Sequence, residues 1–420
     1  MGFEETAYPY TKPARRSSWR PEVKQFSQRR FRFLLRCTVA AAVTGILFLV
    51  ALHRQYRHDL QEKYSATIFS NDSERRIHRS EWEASAGSLA ERPIQREEWK
   101  RIGGGWEGEI FLYEDTVIKT FVTTRSPLRN CLDSSSSPTR IPTEIPATLV
   151  LGGLQDEVAE DADFLPLKGY LLAPATETEP ASWLVLTPYL PSGNLQNVAM
   201  RLRSENLNHR DLDARFRPSL NRLLGALARM HGEHGLCHDD IKLSNVFVTD
   251  YLDATVSDTH WVLADFGNVR EVTHPYHSSV ICTRDSEQNA DCRINDAVRL
   301  IKTYVTFLRL ASIDTVSFDS AFWAEIEPWS ELYWSAVKGA RLGSGAAESF
   351  QDNSLSIAPI RSGEPTPQVE GAWSLGCLLG LPCLAQRTEE EMERGMFVTE
   401  DKARLFGATG TLLGVPTGEC

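Results

Sequence analysis

The sequence predicts an α+β fold that stands behind one apolar N-terminal helix. Residues 108–122 hold two β-rich runs separated by Glu114 and Asp115, which predicts a hairpin, and residues 183–190 predict a further strand. Two stretches with apolar residues at helical spacing, 216–231 and 296–312, follow them. Strands followed by helices are typical of an α+β architecture. An uncharged apolar run over residues 37–52 precedes both parts.

Composition and charge narrow the class of protein. The chain has 420 residues, of which 42% are apolar and 24% are charged, a globular balance that allows a sizeable core. The net charge is −11, but residues 1–36 carry nine Lys/Arg against three Glu, a net +6, which leaves −17 for residues 37–420. An acidic globular part lacks the positive field that a phosphate backbone requires. We therefore expect no nucleic-acid partner.

The apolar run is long enough to cross a membrane. Extending residues 37–52 back to Phe33, and tolerating Arg36, gives twenty residues, about the number needed for roughly 30 Å of hydrocarbon. We predict a single transmembrane helix over residues 33–53 that stays attached as a signal anchor. A cleaved signal peptide and a buried core helix are the alternatives.

Charges on either side of the apolar run predict its orientation. Four basic residues precede it and three follow it: Arg29, Arg30, Arg32 and Arg36, then Arg54, Arg57 and Lys63. This bias favours a cytosolic N-terminus and places the rest of the chain in a secretory lumen or outside the cell. Asn71 begins the N-glycosylation sequon Asn-Asp-Ser on that side, which predicts a glycoprotein.

The eight cysteines contain no C-x-x-C zinc or redox spacing. Cys282 with Cys292, and Cys377 with Cys383, are close enough in sequence to pair. A lumenal location would make both pairs plausible disulfides. Free thiols are an equally good interpretation.

The changes in composition predict five parts. These are a basic tail (residues 1–32), the transmembrane helix (33–53), a polar stem (54–95), a globular domain (96–345) and a C-terminal tail that is partly disordered (346–420).

A glycine cluster opens the β-rich part. Residues 103–108 read GGGWEG, a G-x-G-x-x-G pattern with glycines at Gly103, Gly105 and Gly108. The cluster precedes a predicted hairpin instead of joining a strand to a helix, which argues against a dinucleotide-binding fold. A glycine-rich turn lets the backbone approach phosphates because no Cβ intervenes. Lys119 follows one hairpin later, where its ammonium can neutralise nucleotide phosphates.

Two carboxylates and an amide follow the first predicted helix. Residues 238–245 read HDDIKLSN, in which Asp240 stands five residues before Asn245. Asp240 can accept the proton of an attacking hydroxyl, and the Asn245 amide oxygen can hold Mg²⁺ beside it. Twenty residues further on, Asp265 opens the tripeptide DFG with another carboxylate that suits Mg²⁺. Each motif alone is also compatible with an ordinary turn.

In this order and at these spacings, the motifs resemble those of the protein kinase-like superfamily. The resemblance covers about residues 99–309 and implies a two-lobed fold with a small β-rich N-lobe and a mostly helical C-lobe. It implies ATP and Mg²⁺ as cofactors, with Gly103, Gly105 and Gly108 covering the phosphates. Lys119 would contact the α- and β-phosphates.

The same resemblance implies roles in the second lobe. Asp240 would be the catalytic base, and Lys242, two residues on, would steady the γ-phosphate. Asn245 and Asp265 would be the metal ligands. Asp296 would be the structural aspartate of the central helix of the large lobe.

The resemblance also implies a glutamate partner for Lys119. Glu144 is the first choice, with Glu157 and Glu160 as alternatives. Pro142 suits the start of a helix there, whereas Pro146 does not suit the turn that would follow.

An adenine-binding edge is implied at residues 187–195, TPYLPSGNL. The family binds adenine with a backbone carbonyl, here that of Pro188, and with the N–H two residues on, here that of Leu190. Proline loses an N–H but keeps its carbonyl, so adenine binding is still expected.

Two departures from the family pattern bear on function. Asp239 stands where the family has an arginine that binds a phosphorylated activation loop, so such control is not expected. No Ala-Pro-Glu motif follows Asp265. The irregular substrate region resembles atypical kinases, including secretory-pathway kinases that phosphorylate sugars.

The sequence therefore predicts a membrane-anchored kinase that transfers the γ-phosphoryl group of ATP to a hydroxyl acceptor. The acceptor is a protein Ser/Thr, which Lys242 favours, or a glycan or small molecule, which the missing Ala-Pro-Glu favours. The alternative from a different class is a catalytically inactive pseudokinase that serves as a membrane-bound interaction module.

Overall fold

The computed structural model describes residues 21–70, 96–104, 108–121, 131–132, 141–173, 181–249, 259–342 and 383–407. The chain divides into two units, Met1–Gln55 and Tyr56–Cys420. The helices are α1 (Pro21–Lys63), α2 (Glu144–Leu151), α3 (Leu195–Leu202), α4 (His209–Glu233), α5 (Cys292–Ala311), α6 (Thr315–Ala324), α7 (Pro328–Leu342), α8 (Leu384–Glu393) and α9 (Asp401–Gly407).

The strands are short and lie mostly in the first half of the second unit. They are β1 (Lys100–Gly104), β2 (Gly108–Tyr113), β3 (Thr116–Phe121), β4 (Cys131–Leu132), β5 (Ile141–Pro142), β6 (Gly169–Ala173), β7 (Ser182–Pro188), β8 (Leu236–Cys237), β9 (Val246–Val248), β10 (Trp261–Leu263) and β11 (Arg270–Glu271).

Helix α1 contains the apolar run. Its part from Arg30 to Lys63 is long and apolar enough to cross a membrane. The large apolar side chains of this run, among them Phe33, Ile46 and Phe48, are exposed. Most of the helix belongs to the first unit, and its last turns, from Tyr56 onward, belong to the second.

The β-rich part is a five-stranded antiparallel sheet in the order β1-β2-β3-β7-β6. The predicted hairpin is confirmed, because β2 and β3 pair antiparallel around Glu114 and Asp115. Glu114 has a φ of 52°, the left-handed conformation that closes such a tight turn. The predicted strand at residues 183–190 is also confirmed, as β7.

One glycine is required by strand packing. A Cβ on Gly108 would lie 1.7 Å from the carbonyl oxygen of Thr120 on the neighbouring strand β3. No side chain can be accommodated there without moving the backbone. Gly108 therefore allows β2 to pair closely with β3.

Helix α2 packs against one face of the sheet through Ile145 and Leu149. The helix starts at Glu144, two residues later than a start at Pro142 would give, because Pro142 lies in β5. Pro146 is then the third helical residue. The first four N–H groups of a helix have no intrahelical acceptor, so a proline is tolerated at this position.

The second half of the unit is helical. The predicted helices at 216–231 and 296–312 are confirmed as parts of α4 and α5. Leu220, Leu223 and Leu227 of α4 are buried in the same apolar core as residues of α5. The second unit thus has a small β-rich lobe followed by a mostly helical lobe, the two-lobed arrangement that the motif resemblance implied.

A disulfide joins Cys237 to Cys292, across 55 residues of sequence. The predicted pairing of Cys282 with Cys292 is therefore wrong. Sequence proximity was misleading because α5 begins beside β8, whereas Cys282 is a buried free thiol. Cys377, one half of the other predicted pair, lies outside the described residues.

The C-terminal helices pack on the helical lobe. Met392 of α8 lies in the main core, and the buried Lys302 ammonium donates hydrogen bonds to the carbonyls of Glu391 and Arg394. Before α9, Glu400 pairs with Lys63 and accepts a hydrogen bond from the Tyr64 hydroxyl at 2.6 Å. The sequence held no sign of either contact.

The environment of Glu400 predicts a pH-dependent contribution to stability. Burial alone would raise the pKa of Glu400, but the Lys63 ammonium and the Tyr64 hydroxyl stabilise the charged form, so the pKa falls from 4.5 to about 2. The stabilisation is complete above about pH 4.5 and is lost as the pH falls towards 2. It is at most about 3 kcal/mol, because burying Lys63 itself costs free energy.

We expect Glu400→Gln to lower the thermal unfolding midpoint at pH 7 and to lower it less at pH 3. The variant lacks the titrating group, so its curve approaches that of the wild type as Glu400 becomes protonated. The measurement is thermal unfolding of the detergent-solubilised chain at both pH values. An equal difference at both pH values would contradict the ion pair.

Candidate active site

A cavity of about 710 Å³ opens between the β-rich lobe and the helical lobe. Its walls come from β1, β2, β3 and β7 on one side, and from the loops around Asn245 and Asp265 on the other. The volume is within the range of small-molecule and cofactor sites. Of the predicted site residues that the structure describes, all but Asp240 and Gly108 line it.

Lys119 is the residue through which the β-rich lobe brings a positive charge to the cavity. It sits on β3 between Ile110 of β2 and Val185 of β7. Its Nζ is 2.6 Å from Glu144 Oε2, so the glutamate of α2 that was the first choice is the one that pairs with it. The alternatives Glu157 and Glu160 are both exposed.

Lys119 also contacts the second lobe. Its Nζ lies 3.0 Å from Asp265 Oδ1, which joins α2, β3 and the Asp265 loop in one charged chain. Burial, the largest single effect, would raise the pKa of Asp265, but Lys119, with smaller contributions from Lys242 and His238, lowers it below its usual value. Asp265 is therefore ionised at neutral pH.

The backbone at Asp265 is strained. Its φ and ψ are 63° and 67°, the left-handed region that a residue with a Cβ rarely adopts. Such conformations persist only where the surroundings enforce them, and they cluster at functional sites. Here the conformation accompanies the contact between the Asp265 carboxylate and Lys119.

The loop at residues 238–245 is held by its own side chains. Lys242 Nζ donates to Asp240 Oδ2 at 2.8 Å. The amide nitrogen of Asn245 donates to the Asp240 carbonyl at 2.9 Å. Because that nitrogen is turned inward, the amide oxygen is on the opposite side, where the Ser244 hydroxyl donates to it at 3.1 Å.

His238 links this loop to the strand before Asp265. Its Nδ1 accepts from the Asp240 N–H at 3.3 Å, and its Nε2 lies 3.1 Å from the Ala264 carbonyl. Both contacts are satisfied by a neutral ring that carries its proton on Nε2. The ring therefore fixes the spacing between Asp240 and Asp265.

The predicted adenine-binding edge forms one wall of the cavity. Pro188 ends β7, and both Pro188 and Leu190 line the cavity. The Tyr189 N–H is taken by the Asp115 carbonyl at 2.8 Å, which fixes the chain as it leaves the sheet.

The glycine cluster is only partly at the cavity. Gly103 and Gly104 line it, whereas Gly108 serves the pairing of β2 with β3 described above. Gly105 lies outside the described residues. A Cβ on Gly103 would meet only Ile110, at ordinary contact distance.

Asn268 is a site residue that the sequence did not indicate. Its amide nitrogen lies 3.4 Å from Asp240 Oδ2. It follows the DFG tripeptide directly, but no motif marks that position. Its place beside Asp240 follows from the turn at residues 266–268.

No protein-family model matches this chain, and no curated protein matches it. Among solved structures, the kinase domain of PknI from Mycobacterium tuberculosis is similar over 62% of this chain and 96% of that chain, at 15% sequence identity and a TM-score of 0.37. The assignment of a function therefore depends on the residues of the site.

Proposed function

We propose that the chain is an ATP-dependent phosphotransferase that moves the γ-phosphoryl group of ATP to a hydroxyl acceptor. One observation carries the proposal. The charged chain of Glu144, Lys119 and Asp265 lines a single cavity. The cluster of Asp240, Lys242 and Asn245 adjoins the same cavity. The first set suits nucleotide phosphates, and the second suits an attacking hydroxyl.

Lys119 is the residue that would bind the nucleotide phosphates. Glu144 is buried behind it and holds the ammonium in place. A cation fixed in advance stabilises developing phosphate charge without reorganising during the reaction. The adenine would lie against Pro188 and Leu190.

The residues fit Mg²⁺. Asp265 offers a carboxylate that is ionised, and Asn245 offers an amide oxygen, both hard oxygen ligands. When bound, Mg²⁺ would neutralise charge on the phosphates. Asn245 and Asp265 are the residues that would hold it.

Asp240 would act on the acceptor. Its carboxylate would orient the hydroxyl and take its proton as the acceptor oxygen bonds to the γ-phosphorus and the bond from phosphorus to the ADP oxygen breaks. Lys242, 2.8 Å from that carboxylate, would steady the phosphoryl group in transit. Most of the rate acceleration would come from positioning and electrostatics.

A second cavity of about 260 Å³ is also lined by Lys242 and Ser244. Its apolar wall includes Met392, Met396 and Phe397 from the C-terminal part of the chain. We propose that the acceptor enters here, since a group in this cavity would lie next to Lys242 and its partner Asp240. The acceptor itself is a protein Ser/Thr, a glycan or a small molecule.

Phe397→Ala is expected to raise KM for the acceptor about 3- to 30-fold, with kcat and KM for ATP unchanged. Phe397 is 57% exposed in this cavity, so its removal costs apolar contact with the acceptor and little packing. Leu405→Ala, which removes an apolar side chain that is 74% exposed on α9, is the matched control. A change in KM for ATP instead would place the acceptor elsewhere.

We further propose that residues 33–53 anchor the chain, with the N-terminus cytosolic and the kinase domain lumenal. The exposed apolar surface of α1 needs a covering that lipid supplies. The predicted glycan at Asn71 lies outside the described residues, and it stays a prediction.

In cells with a secretory pathway, the full chain is expected to carry an N-glycan that endoglycosidase removes. Asn71→Gln and Ser73→Ala should each lack it, because both destroy the sequon, whereas Ser70→Ala should retain it. Mobility on a denaturing gel measures the difference. If the chain stays unglycosylated and a protease added on the cytosolic side digests its kinase domain, the orientation is the opposite of the one proposed.

The proposed activity is tested with the full chain in detergent. We would measure transfer of label from γ-labelled ATP, with Mg²⁺, to an extract of secretory-pathway proteins and glycans. Transfer by the wild type and not by Asp240→Asn would establish a kinase, and the mass of the product would give the acceptor class. No transfer, together with no rise in melting temperature on adding Mg²⁺-ATP, would favour the pseudokinase alternative.

A further inference from the structure

Asp239 is a buried carboxylate that two arginines and a histidine surround. Arg270 Nη1 donates to its Oδ2 at 3.1 Å, His277 Nε2 lies 2.9 Å from the same oxygen, and Arg299 Nη1 lies 3.7 Å from Oδ1. Burial alone would raise the pKa of Asp239, but His277, Arg270 and Arg299 lower it well below its usual value. Asp239 is therefore an ionised group at the centre of a buried cluster.

The backbone at Asp239 is fixed from another direction. The N–H groups of His238 and Asp239 donate to the two oxygens of Asp296, at 2.7 and 3.0 Å. The disulfide between Cys237 and Cys292 links the residue before His238 to the start of α5. The next residue in the chain is Asp240, so any shift of Asp239 moves the predicted base.

Arg270 belongs to residues 266–285, named here the 266–285 segment. The part of the chain at residues 56–69, named the 56–69 segment, covers it. Arg270 Nη2 donates to the Lys63 carbonyl at 3.0 Å. The Thr67 hydroxyl donates to the Val269 carbonyl at 2.7 Å. The cation that faces Asp239 is thus held from behind by the 56–69 segment.

Further contacts continue along the 266–285 segment. Asp59 accepts from the Val280 N–H at 3.0 Å, and the Ser65 hydroxyl lies 3.0 Å from His274 Nε2. Burial and the nearby Arg270 charge lower the pKa of His274 to about 3, so this ring is neutral. It adds no positive charge to the cluster.

Residues of the C-terminal part of the chain contact the last residues of the 266–285 segment. The Thr399 hydroxyl donates to the Asp285 carbonyl at 2.8 Å, and Tyr56 donates to the Asp285 carboxylate at 2.7 Å. The ring of Tyr56 stacks on Phe406 of α9, with centroids 5.8 Å apart. Residues at both ends of the second unit therefore meet on the 266–285 segment.

These contacts involve only the charges of unmodified amino-acid side chains. The anion is on the loop before Asp240, and the cations are on the 266–285 segment and α5. A buried ion pair of this kind is strongly disrupted when one partner is removed, because the other is left as an unpaired buried charge. No added phosphate is needed to bring the segment and the loop together.

We propose that Asp239 is a positioning residue for phosphoryl transfer, and that the 56–69 segment holds the 266–285 segment against it, so that the site is assembled without phosphorylation. The activity measurements that test this proposal rest on the kinase function proposed above. The docking itself is measurable without any activity.

The docking is tested by Leu60→Glu in the full chain. Leu60 is 3% exposed, so a carboxylate there should displace the 56–69 segment. Gln55→Glu introduces the same charge at an exposed position of the same helix just outside the 56–69 segment and is the matched control. We expect faster hydrogen exchange over residues 269–285 and at least tenfold lower kcat in Leu60→Glu, with neither change in Gln55→Glu.

Unchanged exchange in Leu60→Glu would overturn the docking. If Leu60→Glu does not fold, Thr67→Val keeps the side-chain size, removes the hydroxyl that donates to Val269 and should raise exchange at residues 269–272. A wild type with neither transfer nor nucleotide binding would overturn the proposed function, while the exchange comparison would still decide the docking.

The role of Asp239 is tested by Asp239→Asn and by phosphatase treatment. Asp239→Asn should lower kcat at least tenfold and leave KM for ATP and the Mg²⁺-ATP melting shift unchanged, since the nucleotide is bound by other residues. The wild type should keep its activity after phosphatase. Normal kcat in Asp239→Asn, or loss of wild-type activity on phosphatase treatment, would overturn the proposal.

Discussion

Asp240→Asn is expected to lower kcat by about three orders of magnitude with little change in KM for ATP. The amide cannot take the proton of the acceptor hydroxyl, and positioned proton acceptors contribute roughly 10²–10⁴-fold. Asp240 does not line the cavity proposed for the nucleotide, in which contacts with the phosphates would come from Lys119 and the Asp265 loop. Steady-state kinetics on the detergent-solubilised chain measure both parameters.

Two comparisons make this result specific. Asp156→Asn removes a carboxylate at an exposed position and should leave kcat unchanged. Asp265→Asn should abolish the rise in melting temperature that Mg²⁺-ATP produces, whereas Asp240→Asn should keep it. An active Asp240→Asn variant would show that the acceptor proton leaves by another route.

The sequence predicted the local structure around the site because it depends on short-range patterns. The hairpin at Glu114 and Asp115 needs only alternating apolar residues and a turn. Helices α4 and α5 follow from apolar spacing. The fixed spacing from Asp240 to Asn245 survives in the structure because it lies within one loop.

Pairings between residues far apart in the sequence were harder to predict. Glu144 could be named only as one of three glutamates, since the sequence does not show which side of the sheet α2 covers. The disulfide from Cys237 to Cys292 depends on β8 lying beside the start of α5, which no local pattern encodes. Proximity in sequence therefore favoured Cys282, which is the wrong partner for Cys292.

The contacts of residues 56–69 and 383–407 had no visible signal. The 56–69 segment reads as polar stem, because its few buried apolar side chains, those of Tyr56, Leu60 and Phe69, stand among polar and charged residues. Lys63 and Glu400 are 337 residues apart, and each alone resembles a surface charge. Their pairing depends on the fold of the whole second unit.

Lys119→Met is expected to lower kcat about 10²- to 10³-fold. The substitution removes the cation that would face the nucleotide phosphates, and a fixed charge of this kind is worth that much in the transition state. Methionine keeps most of the apolar stem on β3, so the sheet should fold normally. Glu144→Gln should have a smaller effect in the same direction, because the ammonium remains but loses its anchor.

Lys119→Met should also change the pH profile of the remaining activity. Lys119 is the main group that lowers the pKa of Asp265 against the effect of burial. Without it, burial dominates and the pKa of Asp265 rises, so the carboxylate becomes protonated at a higher pH than in the wild type. The acidic limb of kcat/KM against pH should therefore move to higher pH. Asp156→Asn changes an exposed carboxylate, leaves Lys119 and Asp240 in place and should not move the limb, so a shift in both variants, or in neither, would place the titrating group elsewhere.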